Sequence, residues 1–158
     1  MKGDYPGFKG TYTHDELVEH FLLSPAERAV VDTCHGEVNR HGMAVLLKAV
    51  PYLGYVPHTR AQVPEAVRTF IAHQIGLLWD RTAEYPWHST THDRHLAVVR
   101  QQTGFRFPTS QDKQALETWL QTHGAPEAPT EEELRECAYT RLRTLGIELP
   151  AEQEMEVV

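Results

Sequence analysis

On a helical wheel drawn over residues 91–102, Arg94, Ala97 and Gln101 gather on one side and His92, His95, Leu96 and Val99 on the other. The apolar members decide which side packs inward, so His92 and His95 are packing residues and Arg94 and Gln101 are the outward reading candidates. An outward Arg and Gln can read a polar partner; on duplex DNA an Arg bidentate to guanine would supply roughly 1–3 kcal/mol of base discrimination. Arg100, and Arg106 after the Gly104 turn, join the same cluster. Arg40, Lys48 and Arg60 are candidates for backbone phosphates, each neutralised phosphate steepening the salt dependence of binding. A solvated helix surface explains those three equally well. His41 falls on the Lys48 side of its own wheel, with Arg40 at the border, and Arg68 is left to solvent or a partner.

Other chemistries fit less well. His92 and His95 stand three apart with His88 near, but a zinc site wants three or four convergent ligands and a second shell. No Cys or carboxylate completes that set at a recognisable spacing, so neither a metal nor another cofactor is expected. Cys34 and Cys137 lie far apart and read as reduced, partly buried thiols. The chain has no G-x-S-x-G, no phosphate-cradling glycine loop and no Cys/His arrangement at a helix start, and catalysis by it is not expected. Glu131, Glu132 and Glu133 sit where a helix N-terminus welcomes negative charge. Trp87 and Trp119 read as core anchors, since base-stacking platforms serve single strands.

Helices must position these residues. Apolar residues recur at helical spacing almost throughout and β-branched runs are short, so the fold class is all-α with short helices. Thr13 and Glu16 have the spacing of a capping box and start a helix over 14–22. Ser24 as N-cap, Pro25 at the first helical position and Glu27 reaching back repeat the device. Met43, Leu46, Leu47 and Val50 give a third helix one apolar stripe, which Pro51 ends before the loop marked by Gly54 and Pro57. Val63, Val67, Phe70, Ile71 and Ile75 form the next stripe, from Pro64 to a stop at Gly76. Residues 79–85 read as a short helix, and 91–102 follow a polar turn. Residues 109–123 turn Leu116, Trp119 and Leu120 inward until Gly124. Thr130 with Glu133 starts the last helix, with Leu134, Ala138, Leu142 and Leu145 inward until Gly146. Residues 125–129 read as a short linker, and 151–158 as an acidic, fraying tail.

The length of 158 residues and the 41% apolar fraction suit one ordinary domain or two small helical subdomains. No apolar run approaches a membrane span, and MKGDYPGFKG lacks the apolar core of a secretory signal, so a soluble, cytoplasmic protein is expected. The net charge of −7 opposes the DNA reading, because nucleic-acid modules usually carry a basic excess. Its distribution softens the objection. Residues 24–120 hold ten Lys/Arg against nine Asp/Glu, and residues 121–158 three against nine.

Several separated blocks resemble, in order, the N-terminal domain of transposases from replicative, cointegrate-forming Tn-three-type transposons. They are LSPAER (23–28), NRHGMAVLLK (39–48), YLGYVP (52–57), VPEAVRTFIAHQIG (63–76), THDRH (91–95), TGFR (103–106) and LGIELP (145–150). The resemblance implies a region that recognises the transposon's terminal inverted repeats, with a ribonuclease-H-like catalytic core in a much larger C-terminal part. A chain of this length has no room for that core, which implies a recognition module cut or encoded apart from it. The family stretch matching Arg94, Arg100 and Arg106 is normally richer in Arg. Here Asp93 sits inside it, and His92 and His95 stand where more basic residues belong.

Short helices joined by abrupt turns are what helix-turn-helix units require. The expected organisation is an N-terminal segment and helix (1–23), two tandem helix-turn-helix-like subdomains (24–76 and 77–124), and a C-terminal helix with its tail (125–158). The expected partner is double-stranded DNA carrying terminal inverted repeats, with no membrane. The alternative is a protein-interaction module, a homodimer or a truncated transposase relative that pairs with or inhibits a full-length transposase through the helix at 15–23 or the last helix.

Overall fold

The protein is described by a computed structural model covering residues 6–124 and 130–150. The expected linker at 125–129 and the acidic tail at 151–158 lie outside the described residues. Among the described residues seven α-helices follow one another: α1 (His14–Phe21), α2 (Pro25–Asp32), α3 (Glu37–Leu53), α4 (Glu65–Gln74), α5 (Thr90–Thr103), α6 (Ser110–Trp119) and α7 (Glu131–Thr144). Residues 60–62 and 82–84 make single 3-10 turns, so the short helix expected at 79–85 shrinks to Thr82–Glu84. The fold is all-α, and among the described residues no strand forms and no helix is long and apolar enough to cross a membrane.

Local chemistry sets the helix starts. Capping boxes stand at Thr13 with Glu16, Ser24 with Glu27, Thr109 with Asp112, and Thr130 with Glu133, each side chain satisfying a backbone donor that the first turn leaves open.

The third helix departs from the one-stripe expectation. Every residue from His41 to Leu47 is buried, as are Ala49, Val50 and Leu53, because α1, α2, α4, α5 and the turn at 82–84 pack around it. A helix that is apolar on most sides belongs at the centre of a protein. Pro51 does not end it. The helix continues to Leu53, which is buried, and stops at Gly54 in the left-handed conformation, with the Gly54 N–H donating to the Val50 carbonyl at 2.7 Å. Proline forfeits one helical hydrogen bond here, in the last turn, while Leu53 packing and the Tyr52–Tyr12 hydroxyl contact at 2.8 Å hold the chain in register.

Gly42 on α3 has a steric role. A Cβ built there falls inside the ring of Tyr85, whose position is held by His95 and His92. Gly42→Ala gains up to about 1 kcal/mol of helix propensity, but overpacking an anchored ring costs typically 1–3 kcal/mol. A net loss of stability is therefore expected in thermal or urea melts, and a stabilised variant would contradict this packing.

Among the described residues two apolar clusters make up the core. The larger joins Phe21, Val31, the buried residues of α3, Val63, Val67, Ile71, Tyr85, Val99 and Phe105. It crosses the boundary expected at 76/77, because Tyr85 and Val99 bury themselves against the far side of α3. The smaller joins Leu116, Ala138, Tyr139, Leu142, Ile147 and Leu149, so α6 packs with α7.

Residues 145–150 lace the two together. Gly146 takes a left-handed φ of 70°, the Arg106 N–H donates to the Gly146 carbonyl at 3.0 Å, and the Glu148 N–H donates to the Arg106 carbonyl at 2.9 Å. The Leu149 N–H reaches the Gly54 carbonyl at 2.7 Å. This turn corrects one inward expectation: Leu145 is half exposed, and Ile147 fills the core instead.

Candidate nucleic-acid interface

Helix α5 begins where the Ser89 hydroxyl accepts from the His92 N–H at 3.2 Å and ends at a left-handed Gly104. Val99 and His92 are buried, His95 and Leu96 half-buried, and Arg94, Ala97 and Gln101 exposed, the arrangement the wheel requires. The Arg94 guanidinium contacts the Thr91 hydroxyl one turn back at 3.3 Å, which leaves its charge facing outward.

Most of the other candidate cations are engaged within the fold. Arg68, expected at the surface, is buried: its Nε donates to the Val63 carbonyl at 2.8 Å and its Nη1 to Asp80. His41 is 0% exposed. Its Nδ1 accepts from the Arg81 N–H at 3.0 Å and its Nε2 lies 2.9 Å from the Arg68 carbonyl. A carbonyl offers no proton, so Nε2 carries the hydrogen and the ring is neutral. Burial pushes the His41 pKa down, against the pull of the Arg68 carbonyl and Asp80. Both corrections have one cause: α3 and α4 face each other here rather than solvent.

Asp80 is the hub of this network and was not among the sequence candidates. It accepts from Arg60 Nη2 at 2.9 Å, from Arg68, and from the Thr82 amide at 2.8 Å. Burial alone would raise its pKa, but the Thr82 and Arg60 hydrogen bonds and the Arg68 charge outweigh it and hold the carboxyl down at about 2. Arg60, though partly exposed, is thus tied to Asp80 and to the Thr82 hydroxyl at 3.2 Å.

Lys48 bends to the Glu27 carboxylate at 3.2 Å, with both side chains mostly buried, so the capping acid of α2 also neutralises it. Arg40 faces Asp32 at 3.4 Å. Arg100 grips Glu148 with Nε and Nη2 at 2.6 and 3.1 Å and lies 4.0 Å over the Phe107 ring. Arg106 pairs with Asp112 at 2.6 and 2.8 Å, yet half of its side chain remains exposed. Of the nine candidates, Arg94 and Gln101 stand outward without an acid partner among the described residues, and Arg106 stands outward with one.

A cleft of about 590 Å³ opens beside α5, lined by His58, His88, His92, Arg100, Phe107 and Lys113 among others. Lys113, His58 and His88 were not DNA-contact candidates, because residues from three loops and helices converge here only in the folded chain. Among the described residues no group of three or more His, Cys, Asp or Glu side chains is placed to hold a metal ion.

The fold also creates a Cys/His neighbourhood invisible in the sequence. Cys34 Sγ lies 3.9 Å from His95 Nε2, and His95 Nδ1 lies 2.7 Å from the Tyr85 hydroxyl. Burial pushes the Cys34 thiol up, and burial followed by the Arg94 charge pushes His95 down. Both shifts favour the neutral thiol and neutral ring, the opposite of an activated nucleophile.

Comparison with known proteins gives two findings. A family model described as "Domain of unknown function (DUF4158)" matches residues 2–158. The transposase for transposon Tn501 of Pseudomonas aeruginosa is 25% identical over 88 residues, a stretch that covers 56% of this chain and 9% of that protein. This chain therefore matches only a small part of that relative's length.

Proposed function

The chain belongs to the family described as a domain of unknown function, DUF4158, and is transposase-related; on that premise we propose that it binds duplex DNA at transposon terminal inverted repeats through the exposed edge of α5. One observation carries the reading: Arg94 and Gln101 project from the same face of a helix whose other face is anchored in the core on α3. A recognition helix needs this combination of a rigid back and a polar front. Arg106 beyond Gly104 extends the face, and its pairing with Asp112 leaves half the side chain accessible to a phosphate. The net charge of −7 and the internal engagement of most other arginines leave few phosphate contacts, so affinity should rest on few charges and fall gently with salt.

Fluorescence anisotropy on a labelled duplex carrying terminal repeats, run across a salt series, tests the reading. Arg94→Ala should weaken binding to the repeat about 10- to 100-fold, the worth of one bidentate base contact. Equal affinity of the unaltered protein for repeat and scrambled duplexes would sink it.

A second reading has its own observation. Leu78 and Trp79, beyond α4, are 79% and 62% exposed, and adjoining exposed apolar side chains of this size suit a protein partner. In that case the module pairs with itself or with a transposase. Sedimentation of the protein alone and mixed with transposase decides it: Trp79→Ser should abolish an association that Arg94→Ala leaves intact.

A further inference from the structure

We propose that the cleft beside α5 is a phosphate-binding site held by His58, His88 and Lys113. The proposal deepens the DNA reading, on which the natural source of the phosphate rests: a DNA backbone diester or a free phosphate ester offers the same chemistry. The cleft measures about 590 Å³, ample for such a group, and collects donors from separate parts of the chain. The Lys113 ammonium is exposed and has no acid partner among the described residues. The His58 and His88 rings lie near parallel with centroids 6.5 Å apart, and His88 continues to His92 at 6.0 Å. Neither the His58 nor the His88 ring makes a hydrogen bond to the protein among the described residues.

His92 forms the inner wall. It is 3% exposed, its Nδ1 faces the Tyr85 hydroxyl at 3.4 Å, and it lines the cleft. His88 itself holds a left-handed φ of 62°, the one non-glycine residue to do so among those described. Such backbone is costly for a side-chain-bearing residue and persists only where its surroundings enforce it; here it leads directly into the Ser89 cap of α5.

The acids that face the cleft are accounted for. Glu148 is neutralised by two donors of Arg100, whose Nη1 stays unused, and Asp93 stands exposed on the rim. The charges of Lys113 and Asp93 offset each other. An oxyanion seated in the cleft can accept from the imidazole N–H groups and from the Lys113 ammonium, the latter a charge-assisted hydrogen bond.

Two-dimensional NMR of the full chain titrated with inorganic phosphate at one pH tests this. The expected result is saturable perturbation centred on His58, His88, His92 and Lys113, weakened about tenfold in Lys113→Gln, which removes one charge-assisted donor at an exposed position. Perturbation that spreads over the surface without saturating, or that Lys113→Gln leaves unchanged, overturns the proposal. A parallel titration with repeat duplex separates the two readings. Cleft saturation by phosphate with no duplex binding keeps the cleft and removes the DNA reading. Duplex binding with a cleft unresponsive to phosphate does the reverse. Duplex affinity equal in Lys113→Gln and the unaltered protein, with phosphate still filling the cleft, assigns the site to a free phosphate ester.

Discussion

Replacing Asp80 by alanine should lower the free energy of unfolding by about 3–5 kcal/mol, read as a large fall in the urea midpoint. The size follows from what the carboxylate leaves behind. Asp80 and Arg68 are each only 10% exposed at the side chain, and the Arg68 guanidinium has no second acid within reach among the described residues. An unpaired charge held away from water costs far more than the pair ever contributed. Since small domains are stable by only about 5–15 kcal/mol, this one substitution threatens the fold.

Three comparisons isolate the cause. Asp80→Asn keeps the shape and the contact with the Thr82 amide but loses the charge, and should fall between the wild type and alanine. The double variant Asp80→Ala/Arg68→Met removes both charges and should recover most of the loss, as apolar replacements of buried pairs do. The pH dependence gives the third. The Asp80 folded pKa, about 2, lies below its ordinary 3.8. Its contribution is thus present above pH 3.8 and disappears as pH falls through 2. A loss in Asp80→Ala of under about 1 kcal/mol, the ordinary worth of an exposed pair, would show that the hub is not structural.

Thermal stability should also fall as pH drops from 7 to 5, ahead of most carboxylate titration. His41, His92 and His95 all have pKa values pushed below the ordinary 6.5, in each case chiefly by burial of the ring, with the charge of His88 adding at His92 and that of Arg94 at His95. The unfolded chain therefore takes up protons near pH 6.5 that the folded chain refuses. Where the unfolded state binds more protons, stability rises with pH and falls on acidification. Well above pH 6.5 these rings are neutral in both states and contribute no slope. Tm measured by scanning calorimetry at closely spaced pH values checks this, and His92→Phe, which removes one of the three rings, should flatten the decline. A Tm that holds level from pH 7 to pH 5 would mean these rings accept protons freely in the folded protein.

The local features were legible in the chain. Thr13 with Glu16, Ser24 with Glu27 and Thr130 with Glu133 begin helices where their spacing says, because a capping box closes within four residues and needs nothing from the rest of the molecule. The α5 wheel holds for a related reason: Val99 and His92 need only some apolar surface behind them, and their own spacing then turns Arg94 and Gln101 outward. The surroundings of Lys48 and Arg68 were not legible, because a wheel orders one helix and does not say how many neighbours it has. Lys48 lies off the apolar stripe of α3, yet Glu27 arrives from α2 to neutralise it. Arg68 lies off the stripe of α4, yet Asp80 returns from the following loop to bury it.

What the sequence alone determined is therefore the all-α character, the helix starts and the outward face of α5, all set by interactions between residues a few positions apart. Only the tertiary structure decided that α3 is enclosed, that Asp80 gathers Arg60 and Arg68, that Glu148 occupies Arg100, and that His58, His88 and Lys113 share one cleft. The ion pairs among them join residues 12 to 48 positions apart, and the cleft brings together residues up to 55 positions apart. Such meetings follow from the packing of the whole core, which no local pattern encodes.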